Sequence, residues 1–214
     1  MKIAILSESP VDDAVLRVLV EAILGQATEA IPFPFLRTRN WPSVLNDAPT
    51  VLKHLHFQTD AQGLVLVADS NHKPVHGPAH DQFEIGEPQC RLCQLRSVVT
   101  ETQRRLSPVA GRAELRVAIG LAVPALEAWL RCGVDAGVSE SSWINGLKAR
   151  SDPYSKHQLK RDAYGTERAP RRDRAISEAQ RVAADIDELL RTFPNGFGPL
   201  HREIVRWRED EGIL

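Results

Sequence analysis

The sequence predicts an α/β protein: a mostly parallel sheet with helices on both faces, then a C-terminal helical extension. Three observations lead there. Short apolar runs of strand length alternate with segments whose apolar residues recur at helical spacing. Gly63–Ala68 is the clearest strand in the chain, and nothing after Gly133 reads as a strand. Alternation of this kind implies an α/β core over residues 1–133, with residues 134–214 packed on it as helices.

Residues 2–6 form a short apolar run that ends in Ser7-Glu8-Ser9-Pro10, a buried strand followed by a turn. From Val11 the period changes: Val11, Ala14, Val15, Val18, Leu19, Ala22 and Ile23 share a helical face, and Gly25 stands where a C-cap glycine belongs. Ala30–Leu36 is apolar but interrupted by Pro32 and Pro34, so as a strand it belongs at an edge. Trp41-Pro42 opens a helix reaching about Phe57. Residues 70–88, rich in proline, glycine and histidine, form a long loop, the kind that is usually functional or mobile in a compact domain. A helix follows from about Gln89 to Leu106, then a strand over Glu114–Leu121, and a helix that Pro124 opens through Glu127 to about Arg131. In the extension, Ala175, Ile176, Ala179, Val182, Ala183, Ile186 and Leu189 predict one long amphipathic helix, and Pro199–Arg208 a last one.

Composition bounds the function classes. Of 214 residues, 43% are hydrophobic and 26% charged, enough to bury a core. Lys plus Arg number 27 against 28 Asp plus Glu, so any anion-binding surface is local. The apolar runs are strand-sized and the start of the chain has no signal-peptide pattern, which argues against membrane insertion and for a cytoplasmic protein. Three cysteines do not make a disulfide framework.

Open parallel sheets bind ligands beyond the carboxyl ends of their strands. Glu8 follows the first strand, Asp69 ends the strongest, Glu127 lies a helical turn past the strand 114–121, and Asn71 adds an amide oxygen. Gathered carboxylates repel unless a cation neutralises them, and hard oxygen donors suit Mg²⁺ or Mn²⁺. The competing account makes Glu8 and Asp69 ordinary turn or capping residues, and Glu127 an exposed carboxylate in a helix N-terminal dipole.

Ile3–Leu6 followed by Ser7-Glu8-Ser9-Pro10-Val11-Asp12, together with Leu64–Ala68 followed by Asp69-Ser70-Asn71, resembles a TOPRIM domain. That family carries a glutamate in the turn after its first strand and an Asp-x-Asp after a later one. The segment Ala122-Val123-Pro124-Ala125-Leu126-Glu127-Ala128-Trp129-Leu130 is similar to the signature of small TOPRIM-like proteins related to RloB and the OLD-type nucleases of bacterial defence loci. Lys160, Tyr164-Gly165 and Phe193-Pro194-Asn195-Gly196-Phe197 resemble the C-terminal pattern of that group. The resemblance implies a TOPRIM-like, Rossmann-like fold and a Mg²⁺- or Mn²⁺-dependent phosphodiesterase acting on DNA or RNA in antiviral defence. It implies that Asp69 and Asn71 hold the ion, that Glu8 is a second ligand or the general acid/base, that Glu127 completes the acidic patch, and that Lys160 is the cation nearest the metal. Ser9 replaces the family's usual glycine and Asn71 its second aspartate; the amide adds no negative charge, so weaker metal affinity is expected. With Tyr154 and Tyr164 the only tyrosines and no room for a further domain, hydrolysis is expected rather than topoisomerase chemistry. The alternatives are a catalytically inactive accessory subunit beside a separately encoded ATPase, this chain having no Walker A sequence, and an enzyme of small-molecule phosphotransfer.

Lys148, Arg150, Lys156, Lys160, Arg161, Arg168, Arg171, Arg172 and Arg174 supply cations for phosphate contacts. Asp152, Asp162, Glu167 and Asp173 dilute the run, and a solvated helix face is the competing account. His76-x-x-x-His80 in the long loop, followed after nine residues by Cys90-x-x-Cys93, has the residue types and spacing of a tetrahedral structural Zn²⁺ site. The cysteines serve equally as small buried residues on a helix. His72 either binds a phosphate or faces solvent, Cys132 reads as core, and the four tryptophans read as packing anchors.

Overall fold

A computed structural model describes residues 1–32, 40–82, 86–165 and 171–210. Four strands form one all-parallel sheet in the order β2-β1-β3-β4: β1 is Lys2–Leu6, β2 Glu29–Ile31, β3 Gly63–Asp69 and β4 Arg116–Ala122. Helix α1 (Pro10–Leu24) joins β1 to β2, α2 (Trp41–Gln58) joins β2 to β3, and α3 (Arg91–Arg104) joins β3 to β4. The step from β1 to β2 runs opposite to the later steps. Right-handed crossovers therefore put α1 on one face and α2 with α3 on the other, and α2 indeed packs against α3. The protein is thus α/β and Rossmann-like, with its topological switch between β1 and β3. No helix among the described residues is long and apolar enough to cross a membrane.

Local chemistry explains the elements. Ser9 caps α1 by accepting from the Asp12 N–H at 3.1 Å, Pro10 opens it, and Gly25 at φ 71° ends it, donating to Glu21 O. The buried face is Val15, Leu16, Leu19, Val20 and Ile23. Leu16, Val20 and Leu24 widen the expected face, with α7 (Arg172–Ala183) and α9 (Phe197–Asp210) also packed on α1; Val11 and Val18 are half-buried against the core, and Ala22, expected on that face, is exposed. In β3, Gly63–Ala68 is buried throughout. Strand β2 is the edge strand expected near residue 30; Pro34 and Leu36, part of that expectation, lie outside the described residues. Ahead of α4 (Leu126–Leu130), Pro124 sits before Ala125, the N-cap, rather than inside the first turn.

The long helix expected through Leu189 is two: α7, and α8 (Ile186–Thr192). The Asp185 carboxylate accepts from the Glu188 N–H at 3.0 Å. A side chain that caps this way competes with helix continuation, so the chain restarts at Asp185. Of the basic run, Lys148 lies in the last turn of α5 (Glu140–Ala149), Lys156, Lys160 and Arg161 on α6 (Lys156–Tyr164), and Arg172 and Arg174 at the start of α7. The C-terminal helices close over the sheet: α9 crosses β4, where Gly120 leaves room for Leu200, and Trp207 fills the space over Gly63.

The Phe193–Phe197 turn locks this arrangement. Leu121 N donates to Gly196 O at 3.0 Å, and a Cβ on Gly196 would stand 2.2 Å from Leu121 O. Buried Glu140 accepts from the Asn195 side chain at 2.6 Å and from Gly196 N at 2.8 Å. Because no side chain fits there, Gly196→Ala is expected to cost at least about 1–3 kcal/mol in urea unfolding.

Candidate functional site

The carboxyl ends of the strands meet α1 and α4 at the switch point. Asp69 ends β3 with its carboxylate divided between two tasks. Its Oδ1 accepts from Leu126 N at 3.1 Å, capping α4, whose own N-cap Ala125 has no side-chain acceptor. Its Oδ2 faces Lys156 Nζ at 3.3 Å. The capping and site accounts thus apply to different oxygens of one residue. Glu8, two residues past β1, accepts from Asp69 N at 3.0 Å and lies 3.5 Å from the Arg91 guanidinium.

Asn71 is held rigidly. It has a left-handed backbone at φ 52°, its N–H donates to Pro124 O at 2.8 Å, and its carbonyl accepts from the Trp143 indole at 3.1 Å. Its side-chain oxygen accepts from Lys156. Glu127, nearly fully buried on α4, faces Lys160 Nζ at 3.9 Å, beyond hydrogen-bond reach. It is therefore not the exposed carboxylate of the simpler account. The structure also brings in a carboxylate that the sequence did not single out: Asp12 in the first turn of α1 accepts from Tyr164 OH at 3.2 Å.

Four carboxylates gathered in one place all have their proton affinity raised. Burial, reinforced by the Asp69 and Glu127 charges, pushes Asp12 up to about 8. Burial and then Asp69 push Glu127 up to about 7. Glu8 is raised by burial and by Asp69; Asp69 is raised by burial against the opposing pull of Lys156. Tyr164 is raised as well, by burial and by the carboxylates around it. The donor set is all hard oxygen, and Asp69 and Asn71 already converge on one cation, the Lys156 ammonium. That chemistry fits Mg²⁺ or Mn²⁺.

Of the basic run, Lys156 and Lys160 reach the acidic crevice, and Lys156 rather than Lys160 meets Asp69. Arg174 instead donates to Asp162 O at 2.9 Å, and Arg161 to Gln158 at 2.5 Å. Arg168 and Glu167 lie outside the described residues. His72 pairs with Asp152 at 3.0 Å. Arg91, which no motif marked, donates to Asp69 O at 2.6 Å and lies 4.7 Å over the Trp41 ring. Asp12 was legible only as an ordinary acid in a helix first turn. Lys156 carried one signal: it precedes Lys160 by four residues, hence on the same helix face.

The long loop builds a second site. One donor atom each from His76, His80, Cys90 and Cys93 lie within 4.8 Å of one another, and this set can hold a metal ion. His76 Nδ1 is 3.5 Å from Cys93 Sγ and 4.0 Å from Cys90 Sγ, and His80 Nδ1 is 3.8 Å from Cys93 Sγ. On its other side, His76 Nε2 lies 3.3 Å from Asp81, which Arg96 holds at 2.8 Å. The Arg96 guanidinium lies 3.3 Å from the same His76 nitrogen, so Asp81 and Arg96 together hold the ring from the side away from the sulfurs. Gly86, at φ 70°, passes so close that a Cβ would lie 2.9 Å from Cys93 Sγ. Burial pushes the Cys90 thiol up to about 12 and lowers the basicity of His76. Cys132 is buried, as expected of a core residue.

No family model matches the chain, nor does any curated protein or solved structure. What the fold and geometry define is a class: a Rossmann-like α/β protein with an acidic crevice at its switch point and a Cys/His cluster beside it.

The raised carboxylates give a pH dependence. An acid held protonated in the native state, above its ordinary value of 3.8 for Asp or 4.5 for Glu, binds more protons folded than unfolded. Stability then falls as pH rises. In buffer free of divalent cations, unfolding free energy is expected to drop between about pH 5 and pH 8. Asp12→Asn is expected to flatten the drop and to exceed the parent in stability at pH 8, as measured by urea titrations across that range.

Proposed function

We propose that the acidic crevice belongs to a metal-dependent phosphodiesterase of the TOPRIM type, acting on nucleic acid in the setting of bacterial defence. One observation carries the reading: Glu8 from the turn after β1, Asp12 of α1, Asp69 of β3 and Glu127 of α4 converge at the switch point, rimmed by Arg91, Lys156 and Lys160. Such a concentration of like charge is costly for folding alone. Asp69 and Asn71 are the residues to hold Mg²⁺ or Mn²⁺. Bound there, the ion supplies a Lewis acid for a phosphoryl oxygen and an activated water. Glu8, fixed through one oxygen, keeps the other to take or give a proton. Lys160 and Arg91 offer cations to the phosphate.

Asn71 and Lys156 also favour a second reading, an inactive accessory subunit that works beside a separate ATPase. An amide in place of the second carboxylate, and an ammonium already seated on it, lower the demand for a divalent ion. Cleavage assays separate the two readings. The chain is expected to cut DNA or RNA with Mg²⁺ or Mn²⁺ present, and Asp69→Asn, which keeps an oxygen for Leu126 N–H, is expected to lose at least about a hundredfold. A chain that cuts no nucleic acid with either ion removes the nuclease reading and leaves the accessory subunit and the small-molecule phosphotransfer enzyme.

The Cys/His metal in this reading is zinc, in a structural role. Bonds of about 2.3 Å to sulfur and 2.0 Å to nitrogen give a tetrahedron with sulfur–nitrogen edges of roughly 3.5 Å, and the observed separations run from 3.5 to 4.0 Å. Elemental analysis is expected to find one zinc per chain. Cys93→Ser is expected to lose it and to lower the melting temperature by several degrees; a parent chain purified with zinc in the buffer and still free of it would falsify the assignment.

A further inference from the structure

The Lys156 ammonium stands where the ion is expected, between Asp69 Oδ2 at 3.3 Å and Asn71 Oδ1. The two oxygens are rigid and the lysine is not. Asp69 is tied through its other oxygen to Leu126 N, and Asn71 through its backbone to Pro124 and Trp143. Lys156 is the first residue of α6, on a four-carbon stem with about a quarter of its side chain open to solvent (26%). The seat therefore survives the departure of the lysine, and the lysine has a way out.

We propose that Lys156 is the resident cation of the crevice, and that a divalent ion gains the Asp69–Asn71 seat only by displacing it. The inference rests on the metal-dependent reading of the crevice. An ammonium and a divalent ion cannot share the same two oxygens, because two cations that close repel each other and compete for the same lone pairs. Asn71 suits the arrangement. With an aspartate there, the seat would carry two carboxylates and select the divalent ion outright; with the amide, one carboxylate balances one ammonium. Lys160 is placed differently: it faces Glu127 at 3.9 Å with a side chain 41% exposed, and occupies no seat between two oxygens.

The test is a Mn²⁺ titration of the full chain at neutral pH, with free Mn²⁺ followed by electron paramagnetic resonance. Lys156→Met is expected to bind Mn²⁺ about tenfold tighter than the parent or better, and Lys160→Met to change the affinity less than about threefold. Equal affinity in parent and Lys156→Met, or equal gains in both variants, overturns the seat while leaving the metal site intact. No Mn²⁺ binding by any of the three removes the metal site itself, and the inference with it. Should Lys156→Met fail to fold, acetylation of the parent read by mass spectrometry decides: Mn²⁺ is expected to raise labelling of Lys156 relative to Lys160, and unchanged or reduced labelling overturns the inference.

Discussion

Asp69 joins four other parts of the chain at the end of the most deeply buried strand. Its N–H holds Glu8 after β1, its carbonyl takes Arg91 from α3, one carboxylate oxygen starts α4 and the other reaches into α6. A buried carboxylate survives only with partners, and these contacts are its partners. They bring β1, α3, α4 and α6 to one point, so the crevice follows from satisfying a single side chain. Glu127 and Asp12 are then enclosed beside a charge they cannot neutralise, which is why they keep their protons.

The sheet was readable because its signals are local. An apolar run such as Gly63–Ala68 has little choice but to be a buried strand, and Ser9, Pro10 and Gly25 mark the ends of α1 by their own backbone chemistry. Parallel pairing followed from the alternation of strands and helices. The errors came where one side chain outweighs a period. Asp185 breaks a continuous apolar face, and the packing of α7 and α9 widens the buried face of α1 to take in Leu16, Val20 and Leu24; neither can be seen in a helical pattern.

The site was legible to the extent that its residues end strands. Glu8, Asp69 and Asn71 stand at such ends, and the Pro124–Leu130 segment carried Glu127. The histidine and cysteine spacings pointed to one cluster because all four residues belong to a single loop and the helix start that follows it. Asp12, Arg91 and Lys156 were not singled out for the crevice, since in sequence they look like an ordinary helix acid, an isolated arginine and one member of a diluted basic run. Their roles come from contacts across sequence separations of 22 to 152 residues, which no local pattern encodes.

Cys90 and Arg91 are neighbours in the chain yet belong to different sites, the first to the sulfur–imidazole cluster and the second to the crevice. The peptide bond between them puts the two sites one residue apart at the start of α3: Cys90 turns its sulfur to His76, and Arg91 its guanidinium to Asp69.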